Sequence, residues 1–131
     1  MTQMFPNLIY ARKKANAKQE NISFTISKED FFQWYANQTL ICHYCGLSQD
    51  DFSRTGDGFI IHKKNISVDR VDNSKGYDLS NIVLSCNRCN SIKGDFFSYE
   101  EMKIIGTKFV RKHWKEKGIK THRQGFKGES E

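Results

Sequence analysis

Apolar and polar positions alternate between two periods along the chain. Leu8, Ile9, Ala11 and Ala15 form a mixed apolar stripe, which predicts a basic helix over residues 5–18. Ile22 to Ile26 alternates apolar and polar, the pattern of a short strand. Ser27 then stands as an N-cap before Lys28, Glu29 and Asp30, and acids in a first turn suit the helix dipole. Phe31, Trp34 and Tyr35 follow at helical spacing and predict a core-facing stripe. Residues 49–58 are polar and Gly-containing, which predicts an exposed loop. Residues 59–61 and 66–68 read as strand pieces, 72–75 as a turn before Gly76, and 81–84 as a short β-rich run. Residues 86–93 read as a helical turn or two ending near Gly94. Ser98 and Glu101 make a capping box, and the helix it starts places Met102, Ile105 and Phe109 on one face. Gly106 weakens that helix by about 1 kcal/mol relative to Ala. Beyond Trp114 the chain turns basic and poor in apolar residues, so the last dozen or so are expected to be mobile.

Composition sets the scale of the core. With 131 residues, 37% hydrophobic and 27% charged, the chain has enough for one compact domain with a modest core. Ten Phe, five Tyr and two Trp give that core large side chains. The net charge is +6 and the pI about 9.2. The excess sits at both ends: Arg12, Lys13, Lys14 and Lys18 near the start, and a run from Lys108 through Arg111, Lys112 and Lys115 to Lys127 near the finish. Basic arms of this kind are the electrostatic footprint of a polyanion, although solvated charge alone gives the same count. No apolar stretch approaches the roughly 20 residues that cross a membrane. Leu8-Ile9-Tyr10 is too short for a signal-peptide core, so a cytoplasmic location is expected.

The cysteines change the picture most. All four fall in two C-x-x-C pairs, Cys42 with Cys45 and Cys86 with Cys89. In a reducing compartment such pairs read as metal ligands rather than disulfides. Thiolates are soft donors, and four of them suit tetrahedral zinc. A structural zinc would tie together segments separated by residues 46–85; four independently buried cysteines are the plainer alternative. A redox pair is disfavoured because no βαβ context surrounds it.

Between and after the pairs run Asp69-Arg70, then Asn81-Ile82-Val83-Leu84-Ser85, then Cys86-Asn87-Arg88-Cys89-Asn90-Ser91-Ile92-Lys93. This stretch resembles the HNH endonucleases, the ββα-metal or His-Me finger superfamily, and is most similar to phage-type and homing-type members with two C-x-x-C pairs. The resemblance covers roughly residues 42–93. It implies an α+β fold: a ββα-metal (HNH) core on a four-cysteine zinc site, flanked by N-terminal and C-terminal helices. The corresponding layout is residues 1–40 for the basic helix, short strand and second helix, 41–97 for the core, 98–116 for a C-terminal helix, and 117–131 for a basic tail.

The resemblance also implies an activity, metal-dependent hydrolysis of phosphodiester bonds in double-stranded DNA. Asp69 and Asn90 would hold a catalytic Mg²⁺ or Mn²⁺, since hard oxygen donors suit those ions, and Asn81 would brace the hairpin. Arg70 stands where the family carries its first histidine. Arginine stays protonated and cannot take a proton, but it can grip a phosphate. The base must then come from elsewhere, and His62 and Tyr77 are the candidates. Arg12, Lys13, Lys14, Lys93 and Lys112 are candidate contacts to DNA. The alternative, supported by Arg70, is a non-catalytic zinc-stabilised DNA-binding module. The target sequence, the choice of nick or double-strand cut and the oligomeric state are not written in the chain.

Overall fold

The structure is a computed structural model describing residues 4–63 and 65–122. Among the described residues, six α-helices surround one two-stranded sheet. Helix α1 (Met4–Gln19) packs against α2 (Lys28–Ala36), which begins as expected at Ser27: its hydroxyl accepts from Asp30 N at 3.1 Å. Tyr10 on α1 and Phe31 on α2 place their rings 5.5 Å apart. Phe31 and Tyr35 are buried, while Trp34 is half-buried.

The segment expected as a strand over residues 22–26 forms one isolated bridge, between Phe24 and Tyr77. Its neighbours bond to a loop rather than to a strand, with Thr25 N donating to Tyr77 O and Tyr77 N to Ser23 O. A ladder needs an extended partner, and none runs alongside among the described residues.

Residues expected as loop and strand before the hairpin are helical. Gln49–Arg54 is a 3-10 turn that buries Phe52, and Gly58–His62 is helix α3. The Asp57 side chain caps α3 by accepting from Phe59 N at 3.0 Å. Ile60 is buried, whereas Phe59 and Ile61 turn outward. A run of three apolar residues carries too little periodicity to separate the two states.

Strands β1 (Ser67–Arg70) and β2 (Ile82–Ser85) pair antiparallel, with Asp69 opposite Val83 and Ser67 opposite Ser85. Helix α4 (Asn87–Lys93) follows β2 directly. Together they form the ββα unit, with Val68, Ile82 and Leu84 in the core beneath it.

Helix α5 (Tyr99–Ile105) starts with both bonds of the capping box at Ser98 and Glu101. It runs through a π turn, Gly106–Val110, into α6 (Arg111–Glu116). The π turn shifts the buried face to Met102, Gly106, Val110 and Trp114, so Phe109, expected inside, is 60% exposed. An extra residue in one turn moves every later side chain around the axis. The tail expected to be mobile lies largely outside the described residues, as do Arg123 and Lys127.

Candidate active site and metal centre

The first cysteine pair sits on a tight knuckle. Cys42 N donates to Leu47 O at 2.8 Å and Gly46 N to Cys42 O at 3.0 Å. Gly46 takes the left-handed conformation, φ +82°, that a side chain would resist. The second pair straddles the start of α4. The knuckle is sewn to the hairpin by His43 N donating to Leu84 O at 2.9 Å. As a result all four sulfurs lie within 4.8 Å of one another, and all four residues are fully buried. Independent burial of four cysteines would not produce this convergence. Soft thiol donors, close and dry, fit a metal of zinc type. Burial opposes ionisation at Cys42, yet hydrogen bonds from the other three thiols hold its proton affinity well below that of an ordinary cysteine. Cys86 and Cys89 move the opposite way, each held above the ordinary cysteine range by the neighbouring thiols. Trp114 Nε1 donates to Cys45 Sγ at 3.3 Å, and Arg111 Nε to Cys45 O at 3.2 Å, so the last helix clamps the knuckle from behind.

Above this cluster lies the hairpin. Strand alternation sends Ser67 and Asp69 to one face and Val68 and Arg70 to the other. Asp69 Oδ2 accepts from Tyr44 Oη at 2.7 Å and lies 3.2 Å from Lys93 Nζ. Burial raises the proton affinity of Asp69, while Tyr44 and Lys93 pull it back. Both contacts fall on Oδ2.

Lys93 corrects one expectation. Placed on the DNA side by its sequence position, it is instead fully buried. Its ammonium lies 2.9 Å from Arg70 O and 2.7 Å from Asn73 Oδ1, in addition to Asp69. Three donors meet three oxygens, so nothing remains for a phosphate.

Arg70 faces away from Asp69. Its Nη1 donates to Asn73 O and Lys75 O, each at 2.9 Å, and its guanidinium lies 5.5 Å from the Tyr77 ring. Burial raises the proton affinity of the Tyr77 phenolate, against the pull of Arg70. Asn81 braces the same loop: Oδ1 accepts from Asp72 N at 2.8 Å, and Nδ2 donates to Gly76 O at 2.8 Å and Asp72 O at 3.2 Å.

On the Ser67 side of the hairpin opens a cleft of about 520 Å³. One wall is α1, with Arg12, Lys13 and Asn16; the other brings His62, Lys63 and Asn65 to face Asn87 and Asn90 on α4. Burial lowers the proton affinity of Lys13, and Asp69 acts against that effect, which places the two charges within electrostatic reach. Asn90 stands one helical turn before Lys93, the residue that grips Asp69. The structure therefore brings His62, Asn90, Arg12 and Lys13 to one cleft, with Asp69 on the same strand face as its Ser67. Tyr77 and Arg70 do not line this cleft, although the Arg70 charge acts on Lys13 and the Asp69 charge on Tyr77. Lys14 lines a separate groove on the far flank of α1, and Lys112 is a surface residue of α6. Sequence reasoning missed Tyr44, whose hydroxyl meets Asp69: a tyrosine inside a cysteine knuckle carries no spacing signal.

A hairpin closed by a helix, seated on four converging thiols with an acid at the strand's end, defines the ββα-metal class of nucleases. Comparison with known proteins points to the same class. The rare-cutting HNH restriction endonuclease PacI superposes with a TM-score of 0.75 at 30% identity, over 88% of this chain and 82% of that one. The chain belongs to the HNH endonucleases. The uncharacterized protein R423 of Acanthamoeba polyphaga mimivirus is 30% identical over 84 residues, 64% of this chain, although the match spans only 13% of that protein. No family model matches. Among the described residues no helix is long and apolar enough to cross a membrane.

Proposed function

We propose that the chain is a metal-dependent endonuclease that hydrolyses phosphodiester bonds of double-stranded DNA. The supporting observation is the cleft that brings Arg12 and Lys13 of α1 together with His62 and Asn90, at the edge of a strand carrying Asp69. Cationic side chains on one wall suit a phosphate backbone, and binding through them would weaken with salt. Asp69 and Asn90 are the oxygen donors for Mg²⁺ or Mn²⁺, which when bound stabilises charge on the leaving oxygen. His62 is the base in this reading, because it lines the cleft and Tyr77 does not. Arg70 acts as a loop brace, since its Nη1 is occupied by backbone carbonyls. Zinc is the ion for the four thiols, in a structural role.

Incubation with supercoiled plasmid and Mg²⁺ or Mn²⁺ tests this. Nicked or linear product is expected, with Asp69→Ala and Asn90→Ala each slowing it on the order of 100-fold, the scale of one lost transition-state contact. A protein that retards DNA but leaves it intact in every divalent metal tried is the non-catalytic zinc-stabilised module instead.

A further inference from the structure

Helix α1 divides two depressions. One stripe of it, with Arg12 and Lys13, faces the cleft already described; the neighbouring stripe, with Lys14 and Lys18, lines a second groove of about 540 Å³ on the far flank. The opposite wall of that groove is the segment from Ile22 and Phe24 to Lys28. Its floor is apolar: Tyr10 is buried and Phe24 half-buried, with their rings 5.4 Å apart. Lys14, Lys18 and Lys28 stand exposed around this floor. Two of them lean on rings, Lys14 Nζ lying 5.7 Å from Tyr10 and Lys28 Nζ 5.8 Å from Phe32. Among the described residues no carboxylate lines the groove, although Glu29 and Asp30 follow Lys28 in the chain. Helix α1 itself holds no acid over its 16 residues. A helix face that is merely solvated interleaves both signs, because like charges one turn apart, such as Lys14 and Lys18, repel.

Segregated cations around an apolar floor match the sugar–phosphate backbone of DNA, which offers anionic oxygens and, between them, the carbon face of deoxyribose. We propose that this groove is a second docking surface for DNA. Lys14, Lys18 and Lys28 bind phosphates of the same duplex whose scissile phosphate enters the cleft, so the backbone grips α1 on both flanks. The inference rests on the DNA partner of the endonuclease reading but not on hydrolysis. Contacts of this kind fix the register and orientation of the duplex and read no bases. They act through charge, and the cleft on the other flank of α1 carries the chemistry, which makes the two separable by experiment.

Fluorescence anisotropy of a labelled duplex, without divalent metal and across a range of salt, reads the proposal in the full chain. Each phosphate contact contributes about 0.9 to the slope of log K against log salt, so the joint variant Lys14→Gln, Lys18→Gln and Lys28→Gln should lower that slope by about 2–3. Its affinity at low salt should fall about 10-fold or more. Arginine at the same three positions keeps the charge and should keep both affinity and slope. Ala11→Glu places an acid on the exposed edge of the groove, one turn before Lys14, where the helix tolerates it. It should weaken binding with the thermal midpoint held or raised. Lys108→Gln, Lys115→Gln and Lys117→Gln together remove the same net charge from the last helices and should weaken binding less. An equal loss there overturns the inference, since net charge alone would then explain the effect. An unchanged slope in the Lys14, Lys18 and Lys28 variant also overturns it and leaves the groove to an acidic peptide. Wild-type affinity in Ala11→Glu, or arginine variants as weak as the glutamine ones, overturns it as well. If the wild type binds the duplex but cuts it in no divalent metal, the endonuclease reading fails while these binding curves still decide the groove.

Discussion

Gly106 lies where the C-terminal helix passes the backbone of the first cysteine pair. A Cβ built there meets Tyr44 C and O at 2.6 Å. By helix propensity alone, Gly106→Ala would stabilise the helix by about 1 kcal/mol. Packing demands the reverse, because the obstacle is backbone and cannot swing aside. We expect Gly106→Ala to lower stability by about 1–3 kcal/mol, the range of an overfilled core, as measured by thermal denaturation; a raised midpoint would contradict the packing. Tyr44 is doubly placed, with its backbone against Gly106 and its hydroxyl on Asp69. The same contact therefore couples the knuckle, the last helices and the strand-end acid.

Helices α3 and α4 meet through one ion pair. Arg88 Nε and Nη2 each donate to Asp57 at 2.8 Å, while Asp57 also caps α3. α3 has only five residues, too few to persist without such support. It carries His62 at its last position, so the pair also places a residue of the cleft. Bonds from Arg88 hold the Asp57 carboxyl below the usual range, and burial does not reverse this. A lowered acid stabilises the fold above its unfolded value, and that gain is lost as pH falls through the folded value. Asp57→Ala should therefore cost about 1–2 kcal/mol at neutral pH, from the lost cap and its bidentate partner. The gap between mutant and wild type should narrow below about pH 4, where the unfolded carboxyl takes its proton. Thermal midpoints of both proteins across that range check it; a gap independent of pH would assign the cost to shape alone.

At the scale of the molecule, two halves depend on the thiol cluster. Residues 42–45 and 86–89 bracket the segment 46–85, which holds α3 and both strands, and the last helix reaches back through Trp114 to Cys45. A small core with a net charge of +6 gains much from such a staple. We expect about one zinc per chain by elemental analysis, and a strong chelator to cause cooperative loss of helix in circular dichroism. Retention of the full transition without metal would assign the cluster to packing. From the sequence alone came the two cysteine pairs, the Ser27 and Ser98 caps, the hairpin strands, the bracing asparagine and the basic first helix. Each is set by neighbours a few residues away, or by a spacing that chemistry permits few ways to satisfy. Tertiary contact decided the rest. Lys93 went inside because three oxygens of the 69–73 segment await its ammonium. Phe109 went outside because a π turn advances the helix past Gly106. Residues 59–61 became helix because Asp57 caps them and Arg88 holds Asp57. In each case the deciding partner lies where periodicity and propensity carry no information.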